Sequence, residues 1–261
     1  SRGLGDVYKR QVMEGATRME ELHQSGEAHA QIEKVKAQFG GRELAGKTLG
    51  VVGLGAIGAA VLKAALDLRM EVVGFDPALS VDAALKLPGH RIRIVDSLED
   101  LAKASDYISL HAPSNEHTNG MISTQILSQM RPDACILNFA RGELVDEAAL
   151  AHHFDNNGTG RYVCDFAVGP ELSPRSNVIV LPHLGASTDE AEENAAAMAA
   201  DTTALYLQTG TIRDSVNFPT TTLPARLDTV QRVCVVNENR PGMLGEICLL
   251  YTSDAADELC R

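Results

Sequence analysis

Cations are scarce in this chain. Lys and Arg number 23 against 35 Asp and Glu, a formal net charge of -12. That balance argues against sequence-independent binding of nucleic acid or of an anionic membrane, both of which need a basic surface. Long apolar runs are missing as well. The longest lies between Lys47 and Lys63 and is too short and too rich in glycine to span a bilayer. Residues 1–30 carry polar and charged groups throughout, so no secretory leader is indicated. Cysteine is sparse and odd in number: Cys135, Cys164, Cys234, Cys248 and Cys260 are too widely spaced for a disulfide framework or a zinc knuckle. No metal site is expected, and reduced thiols in a cytoplasm fit best. No internal repeat or low-complexity tract is evident. What remains is a globular composition: 261 residues, 44% of them hydrophobic, are enough for one large or two small domains.

The pattern along the chain is an alternation. Residues 12–40 are polar, with Ile32, Val35 and Phe39 at helical spacing, and predict a helix ended by Gly40-Gly41. From Thr48 onward short apolar strands and amphipathic helices take turns. Strands are expected over 48–52, 71–75, 91–95, 106–110, 135–139, 161–165 and 177–181, and helices over 56–68, 97–104, 123–130 and 146–154. Such an order means an α/β fold: a doubly wound parallel sheet covered on both faces. Ser187 to Thr209 then reads as one long helix, capped by Ser187-Thr188 with an acidic first turn and ended by Gly210.

One motif stands where the first strand meets the first helix of that alternation: Gly53-Leu54-Gly55-Ala56-Ile57-Gly58. The strand-to-helix context makes this Gly-x-Gly-x-x-Gly pattern a dinucleotide signal. Gly53 permits the tight turn, Gly55 lets the backbone approach a pyrophosphate, and Gly58 lets the helix lie close to the sheet. The helix start offers unpaired N–H groups to phosphate, so an acidic chain still binds an anionic cofactor. Asp76 ends the next strand, where a carboxylate accepts hydrogen bonds from both ribose hydroxyls and repels a 2′-phosphate. NAD is therefore expected over NADP.

Two further groups have the chemistry for moving a hydride. Arg141 follows the strand ending in Asn138-Phe139, at the carboxyl edge where such folds place ligands, and can grip a substrate carboxylate and polarise the neighbouring oxygen. A surface salt bridge to Glu143 is the alternative reading. His183 sits between Pro182 and Gly185 just past the last strand and can take a hydroxyl proton. A carboxylate is wanted beside it, and Glu171 and Asp165 are the two candidates upstream. His111, at a strand end, more naturally shapes the cofactor cleft.

KTLGVVGLGAIG, EVVGFDP, ILNFARGELVDE, YVCDF and VIVLPHLGASTDEAEEN together resemble the D-isomer-specific 2-hydroxyacid dehydrogenases, nearly continuously from Gly40 to Ile247. SVNFP followed by NRPGMLGEI is similar to the opening of an ACT domain, a ligand-sensing module. Within the family that tail points to the branch that oxidises 3-phosphoglycerate to 3-phosphohydroxypyruvate with NAD, the first step of L-serine biosynthesis. The resemblance implies that Arg141 binds and polarises substrate, that His183 is the acid/base and that Glu171 is its partner carboxylate. It implies cofactor contacts at Gly53, Gly55, Ala56, Ile57, Gly58, Asp76, Ala112, Phe139, Ala140 and Gly185, with Asp165 or Cys164 near the nicotinamide amide. The segment from Asp165 to Glu171 departs in length from the family pattern.

The resemblance also sets expected boundaries. Residues 12–40 connect to a substrate lobe that family members carry upstream, 41–186 form the NAD-binding domain, and 187–217 return toward the lobe. A linker follows at 218–229, and the truncated ACT unit spans 230–247. Ser1–Gln11 and Cys248–Arg261 resemble translated sequencing-adapter tracts and are expected to be foreign. Without the lobe, the chain by itself is expected to bind NAD weakly and turn over little or nothing. The parent is expected to be a homo-dimer or homo-tetramer acting on a small 2-hydroxy acid. Rival readings are a glycerate, glyoxylate or lactate type dehydrogenase and a non-catalytic NAD-sensing scaffold.

Overall fold

Nearly unbroken burial along the central strands shows what the apolar runs are for. In the computed structural model, which describes residues 15–36, 43–156, 158–185, 187–215, 217–222, 235 and 240–252, seven strands form one sheet. They are β1 (Thr48–Val52), β2 (Glu71–Phe75), β3 (Arg93–Ile94), β4 (Tyr107–Leu110), β5 (Cys135–Asn138), β6 (Arg161–Cys164) and β7 (Val178–Val180). Their spatial order is β3-β2-β1-β4-β5-β6-β7 and every pairing is parallel. Leu49, Val51 and Val72 face one cluster, with Cys135, Leu137, Val163 and Ile179 in a companion cluster. Val52, Ile108, Leu110, Ile136 and Tyr162 face the main cluster on the opposite side. A period of two with both sets buried requires cover on both faces.

The helices supply that cover. α3 (Ala56–Asp67) buries Gly58, Leu62, Ala65 and Leu66, spaced to form a single stripe. α5 (Leu98–Ala104), α6 (Thr124–Leu127) and α7 (Glu147–Asn156) bring Leu101, Leu127 and Leu150 to the main cluster, none of them more than 1% exposed. Removing each such side chain from water contributes roughly 1.5–3 kcal/mol. The α/β doubly wound sheet is thus the one expected.

Differences from expectation are local. Residues 12–40 do not make one helix. Helix α1 includes residues 15–24 and α2 spans Ala28–Lys36, with the chain turning at Gly26, whose φ of +76° suits a residue without a side chain. Leu22, Ala28 and Val35 bury against one another across that turn, whereas Ile32 remains 44% exposed. Phe39 and the Gly40-Gly41 stop lie outside the described residues. Strand β3 is shorter than the 91–95 expected, and α6 ends at Leu127 rather than Met130. A short helix α4 (Val81–Leu85) was not anticipated; Ser80 starts it by accepting the Ala83 N–H at 3.2 Å.

The chain divides into two units, residues 1–185 and 186–261. In the second, α8 (Asp189–Thr209) is the long helix foreseen. Thr188 caps it through the Ala191 N–H, Asp189, Glu190 and Glu192 fill its first turn, and Gly210 closes it at φ +74°. A further helix, α9 (Met243–Thr252), begins inside the stretch 230–247 and continues past residue 248. Of the ACT unit expected over 230–247, residues 230–234 and 236–239 fall outside the described residues, as do residues 1–11 and 253–261. No described helix is long and apolar enough to cross a membrane.

Candidate functional site

Parallel strands place all their carboxyl ends on one edge, and the residues singled out above follow those ends one after another. Gly53 comes directly after β1, Asp76 after β2, His111-Ala112 after β4, Phe139-Ala140-Arg141 after β5, Asp165 after β6 and His183 beyond β7. The strand order reverses between β1 and β4, and ligands of such sheets sit in the crevice at that reversal.

The glycine turn is built for close approach there. Gly53 has φ +87°, and a side chain on it would meet the His111 carbonyl at 2.8 Å. A side chain on Gly58 would overlap the Gly53 carbonyl, so the first turn of α3 lies directly on the loop. Gly55 is different, because a methyl added there meets nothing within 4 Å. It faces open space, with Ala56 and the 69%-exposed Ile57 beside it. The start of α3 has no side-chain cap and no acid in its first turn. Its leading N–H donors and positive dipole end are left for an anion, so these residues fit the pyrophosphate of a dinucleotide.

Asp76 holds the loop as well as bordering it. Its Oδ2 accepts the Leu54 N–H at 2.8 Å and its Oδ1 accepts the Ala78 N–H at 2.9 Å. A carboxylate has about four acceptor positions, so capacity remains for ribose hydroxyls. Across the crevice, His111 Nε2 and Ser109 Oγ are 2.9 Å apart, and burial pushes this imidazole down to about 4, leaving it neutral at physiological pH. Ala112 packs on the main cluster.

Beyond β5 the chain turns sharply. Phe139 packs on Cys135, Leu137, Val163 and Ile179, and Ala140 on the opposite cluster. Arg141 is exposed, and its Nη1 donates to the Ala140 carbonyl at 2.7 Å. Among the described residues no ion pair joins it to Glu143. Asn138, fully buried, accepts the Ala140 N–H at 3.2 Å and donates through Nδ2 to the Arg141 carbonyl at 2.8 Å and to the Tyr162 hydroxyl at 3.3 Å. The sequence reading passed over Asn138, though a polar residue closing the apolar run Cys135-Ile136-Leu137 was a signal.

His183 meets Asp165. Its Nδ1 lies 3.2 Å from the Asp165 carbonyl and 3.4 Å from Oδ2 of the same residue. A carbonyl only accepts, so Nδ1 carries the hydrogen in that contact and Nε2 is left for chemistry. The histidine side chain is 73% exposed, its partner's 9%. Asp165 Oδ1 is buried without a hydrogen-bond partner.

Glu171, expected beside His183, has no hydrogen bond or ion pair to it among the described residues. The reason is a staple. Arg175 accepts no freedom from its loop: Nη1 and Nη2 reach Asp155 on α7 at 2.7 and 3.0 Å, while Nε donates to the Glu171 carbonyl at 2.8 Å. Nearby, the Gly169 N–H donates to Glu147 Oε2 at 2.7 Å. The two sides of this loop are thereby tied to α7. Cys164 pairs with Val180, and the Leu181 N–H donates to the Cys164 carbonyl at 2.8 Å, which brings the residues after β6 and β7 together. Gly185 ends this unit. Cys135 and Cys164 are buried free thiols, the first pushed up to about 12 and the second raised, both by burial, so neither is a nucleophile.

Residues 10–185 match the family described as D-isomer specific 2-hydroxyacid dehydrogenase, NAD binding domain, and NAD is the cofactor this domain takes. The chain is 34% identical over 226 residues to a D-3-phosphoglycerate dehydrogenase of Haemophilus influenzae, covering 83% of this chain and 53% of that one. It is 38% identical over 187 residues to a D-3-phosphoglycerate dehydrogenase of Mycobacterium tuberculosis, covering 70% of this chain and 35% of the relative. The chain thus spans between a third and about half of these relatives. A glyoxylate reductase structure from Paecilomyes thermophila is similar at a TM-score of 0.60 and 25% identity, over 73% of this chain and 60% of that one.

Proposed function

Given that the chain belongs to the D-isomer-specific 2-hydroxyacid dehydrogenase family, we propose that the whole protein oxidises 3-phosphoglycerate to 3-phosphohydroxypyruvate with NAD. This is the opening step of L-serine formation. The observation that carries the reading is the run of groups along one sheet edge: glycine turn, Asp76, Arg141, Asp165 and His183 follow five carboxyl ends of the same parallel sheet. Relatives named D-3-phosphoglycerate dehydrogenase support the choice of substrate, and the ACT-like stretch before α9 belongs to the same proposal. So does a homo-dimeric or homo-tetrameric assembly.

The cofactor, when bound, supplies the hydride acceptor. The residues supply the rest. The first turn of α3 and the open face at Gly55 receive the pyrophosphate, and Asp76 takes the ribose hydroxyls. Arg141 pairs with the substrate carboxylate and stabilises charge on the adjacent oxygen. His183 takes the hydroxyl proton at Nε2, with Nδ1 held by Asp165.

The test is NADH formation, followed by absorbance, with NAD and a panel of 3-phosphoglycerate, glycerate, glycolate and D-lactate. Preference for 3-phosphoglycerate is expected, and His183→Asn should lower turnover about 10²- to 10⁴-fold. Preference for another acid moves the protein to a different branch of the family. Tight NAD binding with no turnover of any acid by the whole protein leaves the sensing scaffold. The 261-residue chain alone should bind NAD weakly and turn over little.

A further inference from the structure

We infer that Asn138 is a positioning residue for Arg141, fixing the loop that carries the guanidinium through its side-chain amide; the inference rests on the role proposed above for Arg141. Asn138 is the last residue of β5 and has no exposed surface. Its two polar atoms close a circuit around the Ala140–Arg141 peptide. Oδ1 accepts the Ala140 N–H, Nδ2 donates to the Arg141 carbonyl, and the intervening Ala140 carbonyl accepts from Arg141 Nη1. The guanidinium is therefore folded onto the Ala140–Arg141 peptide, and one buried amide holds the N–H that precedes this peptide and the carbonyl that follows it.

The second amide hydrogen goes to Tyr162. That phenol is itself completely buried, and burial raises it, so it stays neutral and available as an acceptor. Tyr162 stands on β6, one strand over, which anchors Asn138 to the sheet rather than to its own loop. An acceptor and two donors in one plane are what the site uses, and only a carboxamide offers both. Leucine or alanine would leave the Ala140 N–H without its partner, and an ionised aspartate would set a carboxylate oxygen against the Arg141 carbonyl. A buried polar circuit of this kind is stiff when complete and costly when broken.

The test has two arms. In the first, the ¹⁵N-labelled 261-residue chain is compared with Asn138→Ala and Asn138→Asp by amide relaxation and by the Arg141 Nε–Hε resonance. For Asn138→Ala the order parameters of residues 139–141 should fall from about 0.85 to below about 0.6 while those of β1 and β4 hold. Asn138→Asp should be ordered in acid, where the protonated carboxyl again offers one donor and one acceptor. Unchanged order at 139–141 in the alanine variant, or a loop that stays loose in acid for the aspartate variant, overturns the inference. Should Asn138→Ala not fold, Tyr162→Phe removes one of the amide's partners, and its resonances at 139–141 must shift.

The second arm is a double-mutant cycle in the whole enzyme. Asn138→Ala should lower kcat/KM roughly 10²-fold, the scale of a misplaced catalytic group, and do almost nothing further once Arg141→Ala is present. Equal losses in both backgrounds would mean a structural role and sink the inference. Relaxation needs no turnover, so a loosened loop in a protein without dehydrogenase activity would remove the proposed function and the positioning role, but leave the circuit itself standing.

Discussion

Acidification should weaken the fold through one side chain at the edge of the crevice. Burial pushes the His111 imidazole from 6.5 to about 4. The unfolded chain therefore binds a proton between those two values that the folded chain refuses, and stability falls as pH falls through the window. That displacement corresponds to roughly 3 kcal/mol, of which about 2 kcal/mol is lost between pH 7.5 and pH 5. Part of that is expected at the cofactor loop, because the His111 carbonyl lies 2.8 Å from where a Gly53 side chain would begin. Urea denaturation at pH 7.5 and pH 5 measures the loss. His111→Gln keeps an amide that can pair with Ser109 and has nothing to titrate, so it controls for the carboxylates that also protonate in acid. The native protein should lose about 2 kcal/mol more than the variant across the interval. Equal losses would refute the reasoning, as would a His111 ring resonance that titrates near 6.5.

The glycine loop and its clamp give three sharper contrasts. Asp76→Ala removes the acceptor of the Leu54 N–H, on a residue only 1% exposed, and should cost about 1–3 kcal/mol in stability as well as weakening NAD. Calorimetric titration should also show relaxed discrimination between NAD and NADP; unaltered selectivity would deny Asp76 the ribose. Gly58→Ala forces a methyl onto the Gly53 carbonyl and should cost about 1–3 kcal/mol by urea denaturation, with NAD affinity falling too. Gly55→Ala should leave the urea midpoint where it is, since nothing lies within 4 Å, yet weaken NAD. Parallel losses of stability in the two variants would mean that the open face at Gly55 is not a ligand face.

The elements read well from the sequence are those in which a single strand or helix carries its own evidence. Apart from the short, exposed β3, each strand of the sheet is largely an apolar run between polar or glycine-rich turns, and the glycine motif is local by nature, so both could be read residue by residue. What escaped depends on neighbours far apart in sequence. The break at Gly26 is visible only once Leu22, Ala28 and Val35 pack together across the turn. Asn138 reads in the sequence as one more residue of the 135–139 strand because its partner Tyr162 is 24 residues away. The partner of His183, which the sequence leaves open between Glu171 and Asp165, shows the same logic most clearly. Glu171 is nearer in sequence, 12 residues upstream against 18 for Asp165, yet Arg175 and Glu147 tie its loop to α7. Adjacent strands lie only about 4.8 Å apart, and Asp165 leaves β6 just where Cys164 pairs with Val180 of β7. A carboxylate that departs from the neighbouring strand end reaches the imidazole with no loop to fold, which is why register outweighs sequence distance at this edge.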